Sequence, residues 1–132
     1  MKNSGSDGHS PRVLLVDDDD DLADALRQSL HDAGYAVATV RHGAAALELV
    51  RQIAPDVILL DLTMPIMDGW SFVSQYRRGV SPSARIILLT GHPNGRDISN
   101  NLGADGYVAK PFELSALIAE LRANVEETTA TS

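Results

Sequence analysis

The chain reads as a doubly wound α/β domain: an open parallel sheet of five strands, each followed by a helix, (βα)5, with helices on both faces. Three observations predict it. Short apolar runs recur five times, at VLLV (13–16), YAVATV (35–40), DVILL (56–60), RIILLT (85–90) and GYVA (106–109). Several are continuous rather than alternating, as strands covered on both faces should be. The segments between them are long enough, and helical enough in spacing, to carry parallel crossovers.

Each helix has its own signal. After the first strand, DDLADALRQSLHDAG sets Leu22, Leu26 and Leu30 at fourfold spacing and stops at Gly34. GAAALELVRQI places Ala46, Leu49, Val50 and Ile53 on one stripe, ended by Pro55. DGWSFVSQYRR is a weaker pattern, with Asp68 as its expected N-cap. The fourth helix falls in GHPNGRDISNN, where Pro93, Gly95 and paired asparagines oppose helix formation. Leu114, Leu117, Ile118, Leu121 and Val125 form the clearest amphipathic stripe, the fifth helix. The ends, MKNSGSDGHSP and EETTATS, offer nothing to bury. Residues 1–11 and 127–132 are therefore expected to be disordered tails around a packed domain at 12–126.

Composition removes several function classes. With 132 residues, 44% hydrophobic and 22% charged, the chain is one ordinary globular domain. A net charge of −7 argues against direct nucleic-acid binding. There are no cysteines, hence no disulfide, thiolate metal site or cysteine nucleophile. No apolar run reaches transmembrane length and the N-terminus lacks a signal peptide's apolar core, so a cytoplasmic location without membrane contact is expected.

In open parallel sheets, ligands bind beyond the carboxyl ends of the strands. The first strand ends in Asp17 and Asp18, the third in Asp61, the fourth in Thr90, and the fifth, slightly beyond, in Lys110. Singly, each is ordinary: aspartates start helices, threonine suits strands and Lys-Pro makes a loop. Three carboxylates, a hydroxyl and an ammonium on one sheet edge are not something a core requires. Close carboxylates repel, and a divalent cation with hard oxygen ligands, Mg²⁺ above all, removes the conflict. A carboxylate beside such an ion can attack a phosphoryl group, with Lys110 and the Thr90 hydroxyl neutralising its oxygens. Asp19, Asp20 and Asp21 are left to start the first helix. His92 has no second histidine in a metal-binding motif.

These residues stand in the segments VLLVDDDDDL, PDVILLDLTMPIMDGW, RIILLTGH and GADGYVAKPFEL, which resemble, in order, the receiver domains of two-component response regulators (the CheY-like superfamily) over residues 12–126. The resemblance implies a flavodoxin-like fold of strand order 2-1-3-4-5 and a cis peptide before Pro111. It implies that Asp61 is the phosphoacceptor and that Thr90 and Lys110 hold phosphoryl oxygens. Asp18 would ligate Mg²⁺ directly and Asp17 largely through water, with Asp61 and the Thr63 carbonyl as further ligands and Mn²⁺ as substitute. Thr90 and Tyr107 would be the switch pair, and Thr63, Gly91 and His92 the positions that tune hydrolysis. The implied donor is a phosphohistidine of a histidine kinase or histidine phosphotransfer protein. The implied readout is the face of helix 4, strand 5 and helix 5, by a downstream protein, an output domain or a phosphorylation-dependent homodimer. One departure stands out. Thr90 to Gly103 is thirteen positions, about two fewer than the family pattern, half a helical turn. The fourth helix should therefore be short, displaced or mobile.

Two rivals remain. A haloacid-dehalogenase-type phosphatase would use Asp17 and Asp19 as its Asp-x-Asp start, but requires a further acidic motif beyond Lys110, where only a helix is predicted. A receiver fold used for protein interaction alone, without phosphorylation, is the second. No output segment follows in this sequence, so the domain is expected either to stand alone or to belong to a longer protein, and to act as a signalling domain that catalyses its own phosphorylation and dephosphorylation rather than as a dedicated metabolic enzyme.

Overall fold

Five strands and five helices alternate in the order that the apolar runs imply. They are β1 (Arg12–Val16), α1 (Asp20–Asp32), β2 (Ala36–Val40), α2 (Gly43–Leu49) and β3 (Val57–Asp61), then α3 (Ile66–Arg77), β4 (Arg85–Thr90), α4 (Gly95–Leu102), β5 (Gly106–Ala109) and α5 (Leu114–Ala130). This computed structural model describes residues 10–62, 66–79 and 82–130. Every strand pairing is parallel, and the sheet order is β2-β1-β3-β4-β5, the expected 2-1-3-4-5.

Alternation along the strands builds two cores. Val13, Leu15, Leu59, Ile87 and Leu89 point to one face, where Leu26 and Leu30 of α1 and Leu117 and Leu121 of α5 cover them. Leu14, Val16, Ile58, Leu60, Ile86 and Leu88 point to the other, beneath Ala46 of α2, Phe72 and Tyr76 of α3, and Leu102 of α4. Because β1, β3 and β4 are covered on both faces, they are apolar along their length and admit polar side chains only toward their ends. Phe72 and Tyr76 stack with centroids 6.1 Å apart. The Tyr76 hydroxyl accepts the Ala84 N–H at 2.9 Å, so a buried phenol is satisfied and the entry to β4 is fixed.

Four details differ from the sequence expectation. α2 ends at Leu49 rather than Ile53, because Arg51 and Gln52 N–H turn to the carbonyls three residues back, Glu48 and Leu49. Asp68 lies within the first turn of α3, not at its N-cap, where its charge still favours the helix dipole. Leu114 is 40% exposed, being the first residue of α5 and short of the sheet, whereas Leu117 and Leu121 are fully buried. The backbone of α5 continues to Ala130, four residues past the expected boundary; nothing in Glu126–Ala130 breaks a helix.

The fourth helix is short, as expected, and regular. Its poor propensity is overcome by one buried face, Gly95, Ser99 and Leu102, at helical spacing. Gly103 ends it in the left-handed conformation (φ 77°), which a side chain would strain. Asp105 then fastens the start of β5: it accepts the Ile86 N–H at 2.8 Å and the Arg77 and Arg85 guanidiniums, each at 3.2 Å.

Candidate functional site

The central strand β3 delivers Asp61 at its carboxyl end, with 0% of its surface exposed. From the strand pair at the other side, the Lys110 N–H bonds to the Thr90 carbonyl at 2.8 Å, anchoring the lysine just past β5. The Lys110–Pro111 peptide is cis, as expected. The Lys110 ammonium reaches across to donate to both Asp61 oxygens, each at 2.8 Å. A buried carboxylate is tolerable only with such a partner.

Asp17 follows β1, held by its N–H to the Val40 carbonyl at 2.9 Å. Its carboxyl is 1% exposed. One oxygen accepts the Asp19 N–H at 2.9 Å, while the other, Oδ2, is buried without a hydrogen-bond partner. Burial foremost pushes this carboxyl up to about 6; the Asp19 N–H opposes the rise, the neighbouring Asp61 adds to it, and Lys110 counters it. Two carboxylates withdrawn from water thus share one ammonium.

The aspartate run divides its labour as its sequence suggests. Asp19 caps α1, its carboxylate accepting the Leu22 N–H at 3.1 Å. Asp20 pairs with Arg41 at 2.8 Å, and Asp21 sits exposed in the first turn. Asp18 stands exposed on the rim. Thr63 lies outside the described residues.

Thr90 closes β4, 2% exposed, and its hydroxyl accepts the His92 N–H at 3.0 Å. The exposed His92 in turn accepts the Asn94 N–H on Nδ1 at 3.0 Å, a turn bond just ahead of α4. Gly91 leaves ordinary room beside Lys110: a Cβ there would stand 3.6 Å from the lysine's. Tyr107 is half-buried against the layer of α2, α3 and α4, its ring next to Gly95.

A divalent cation suits this arrangement. The orphaned Asp17 oxygen and the Asp61 carboxylate are hard donors with insufficient positive charge between them. Among the described residues no three carboxylates or imidazoles enclose a cation by themselves.

The larger cavity lies elsewhere. It measures about 720 Å³ between the end of α2 and α3, lined by Val50, Ile53, Pro55 and Tyr76, and no strand-end carboxylate reaches it. A groove of about 590 Å³ does adjoin the site, running from Asp18 past Arg41 and His42 to Asp68 and Phe72. The charged groups converge on the strand edge, not on the larger cavity.

Sequence reading named Asp17, Asp61, Thr90 and Lys110, and the fold brings them together. It missed Asp105, for which an aspartate right after the helix-stopping Gly103-Ala104 was the available signal. It treated Gly95 only as a helix breaker.

The profile of the response regulator receiver domain matches residues 13–122. The transcriptional regulatory protein PrrA of Mycobacterium tuberculosis is 39% identical over 127 residues, covering 93% of this chain and 54% of PrrA. The response regulator MprA of the same species is 37% identical, over 90% of this chain and 52% of MprA. The chain thus spans about half the length of these curated relatives. Among solved structures, the chemotaxis response regulator CheY4 of Vibrio cholerae aligns with a TM-score of 0.77 at 33% identity, covering 87% of this chain and 98% of CheY4. A response regulator of Chloroflexus aurantiacus reaches 0.81 at 30% identity, covering 89% of this chain and 98% of its own. Fold, strand-end chemistry and these likenesses agree: the chain belongs to the receiver domains of two-component response regulators.

Proposed function

We propose that this receiver is phosphorylated on Asp61 by a phosphohistidine of a histidine kinase or histidine phosphotransfer protein. An Asp61 oxygen attacks phosphorus, the P–N bond breaks, and the leaving imidazole keeps its electron pair and takes a proton. Lys110 already lies on both Asp61 oxygens, within reach of a phosphoryl oxygen added there. The Thr90 hydroxyl, now an acceptor for the His92 N–H, has its own proton to donate once it rotates. Asp17, Asp18, Asp61 and the Thr63 carbonyl would hold Mg²⁺, or Mn²⁺ in its place. The ion would neutralise charge on the transferred group.

Slow hydrolysis returns the resting state, its rate tuned by Thr63, Gly91 and His92. Thr90 moving toward the phosphoryl group vacates space for Tyr107, altering the face of α4, β5 and α5. A downstream protein, an output domain of a longer chain, or a second copy then reads that face. The setting is cytoplasmic; no helix among the described residues is long and apolar enough to cross a membrane. The observation that carries this reading is the buried Asp61 gripped by Lys110 beside the unpartnered Asp17 oxygen.

Intact mass after incubation with acetyl phosphate tests it. One phosphoryl adduct is expected, requiring both Mg²⁺ and Asp61 and absent from Asp61→Ala. An unmodified mass under every condition would move the assignment to an interaction module that works without phosphorylation.

A further inference from the structure

The first residue of α4 touches the switch itself. An ideal Cβ on Gly95 would lie 2.9 Å from the Thr90 methyl, Cγ2, and 3.4 Å from the Cδ2 and Cε2 atoms of Tyr107. The first distance is closer than real Cβ contacts approach; the second is ordinary contact. Gly95 has no left-handed φ, so its backbone conformation is open to alanine. The glycine is needed for space, and the space in question is that of one Thr90 rotamer. In that rotamer the methyl points at Gly95 and the hydroxyl is held by the His92 N–H.

We infer that Gly95 is a positioning residue for the switch: its missing side chain permits the resting rotamer of Thr90 and couples that rotamer directly to the start of α4. This rests on the reading of Thr90 as the hydroxyl that turns toward a phosphorylated Asp61. The shortened β4–α4 segment makes the contact intelligible, since it brings the helix to within one side chain of the strand end. Between the two groups, Thr90 is the one that yields. α4 is fixed by the Gly95 N–H to the His92 carbonyl at 3.1 Å, by buried Ser99 and Leu102, and by its Gly103 cap. Thr90, 2% exposed, has its hydroxyl on the His92 N–H at 3.0 Å, and turning the side chain gives up that bond while the strand backbone stays in place. A methyl on Gly95 therefore expels the Thr90 methyl, frees the hydroxyl from His92, and leaves Tyr107 in ordinary contact. The state favoured is the one phosphorylation would favour, reached without a phosphoryl group.

The test is Gly95→Ala in the whole chain, alone and combined with Thr90→Ser, which lacks the clashing methyl. Three-bond couplings to Thr90 Cγ2, measured by NMR on unphosphorylated protein, read the rotamer; intact mass reads the acetyl phosphate labelling rate. Expected are loss of the resting rotamer in Gly95→Ala, a severalfold faster labelling, and no further effect of Gly95→Ala in the Thr90→Ser background. An unchanged rotamer in folded Gly95→Ala overturns the inference, as does an equal effect of Gly95→Ala with and without the Thr90 methyl. If Gly95→Ala fails to fold while the double variant folds, the clash stands and α4 is shown unable to retreat. Should the wild-type chain take no phosphoryl label at all, the phosphoacceptor reading falls, and the Thr90 couplings alone still decide the contact.

Discussion

The two halves of the strand edge are built by different physics. On the β1–β3 side, Asp17 and Asp61 are ionisable groups almost wholly withdrawn from water, answered by one lysine that spans from β5. On the β4–α4 side, Thr90, His92, Asn94 and Gly95 form a chain of single contacts: one hydroxyl, two backbone N–H groups and a methyl against a glycine. The first half stores electrostatic conflict that a cation and a phosphoryl group can resolve. The second half carries no charged pair, only single hydrogen bonds and one close packing contact. On the proposed reading, fixed charges serve the phosphoryl transfer and a side-chain rotation serves the signal, from neighbouring strands.

Removing charge from the first half should have the largest effect. Lys110→Ala leaves two buried carboxylates unanswered, and acetyl phosphate labelling should fall by roughly 10²–10³-fold, the loss typical of one donor to a developing anion. Measured by the rate of the mass shift, a fall of less than about tenfold would deny the lysine its role.

The next effect concerns pH. The folded pKa of Asp17 lies near 6 against an ordinary 3.8, so the folded state binds more protons than the unfolded between these values. Stability without divalent cations should therefore decline as pH rises from 4 to 6, by on the order of 2 kcal/mol from this group, and stay low above it. Asp17→Asn should flatten that part of a urea-denaturation profile. A wild-type profile that instead rises steadily from pH 4 to 7, unchanged by Asp17→Asn, would contradict the burial.

Smaller effects belong to groups that only shape the frame. Asp105→Ala strands the Ile86 N–H and two guanidiniums, costing ~1–3 kcal/mol in denaturant titration. Asp19→Ala removes the cap of α1 and should cost ~1 kcal/mol, leaving labelling within about twofold. His92→Ala loses an exposed contact and should change stability by no more than ~0.5 kcal/mol, while altering the adduct's lifetime. A large stability loss for His92→Ala would show that the second half is not the lightly held region described above.

The same division explains what could be read from the sequence. Strands buried on both faces write themselves as continuous apolar runs, so the polar residue that ends each run marks the carboxyl edge of the sheet; the place of Asp17, Asp61 and Thr90 there was legible for that reason. Lys110 needed the assumption that strand five adjoins strand four. Contacts fixed by packing left no such mark. The approach of Gly95 to Thr90 depends on where a short helix begins, and Gly95 in sequence looks like a breaker. Leu114 fits the α5 stripe by spacing, yet its end of the helix overhangs the sheet. The early end of α2 follows from local turn bonds that no apolar period records.

A Mg²⁺ titration of the unphosphorylated protein at pH 8, followed by thermal unfolding of wild type and Asp17→Asn, tests the strand-edge ion most directly. An ion held by Asp17, Asp18, Asp61 and the Thr63 carbonyl would bind only the folded state, so wild type should melt a few degrees higher at millimolar Mg²⁺ while Asp17→Asn shows a clearly smaller rise. Equal stabilisation of both proteins, or none in wild type, would contradict it.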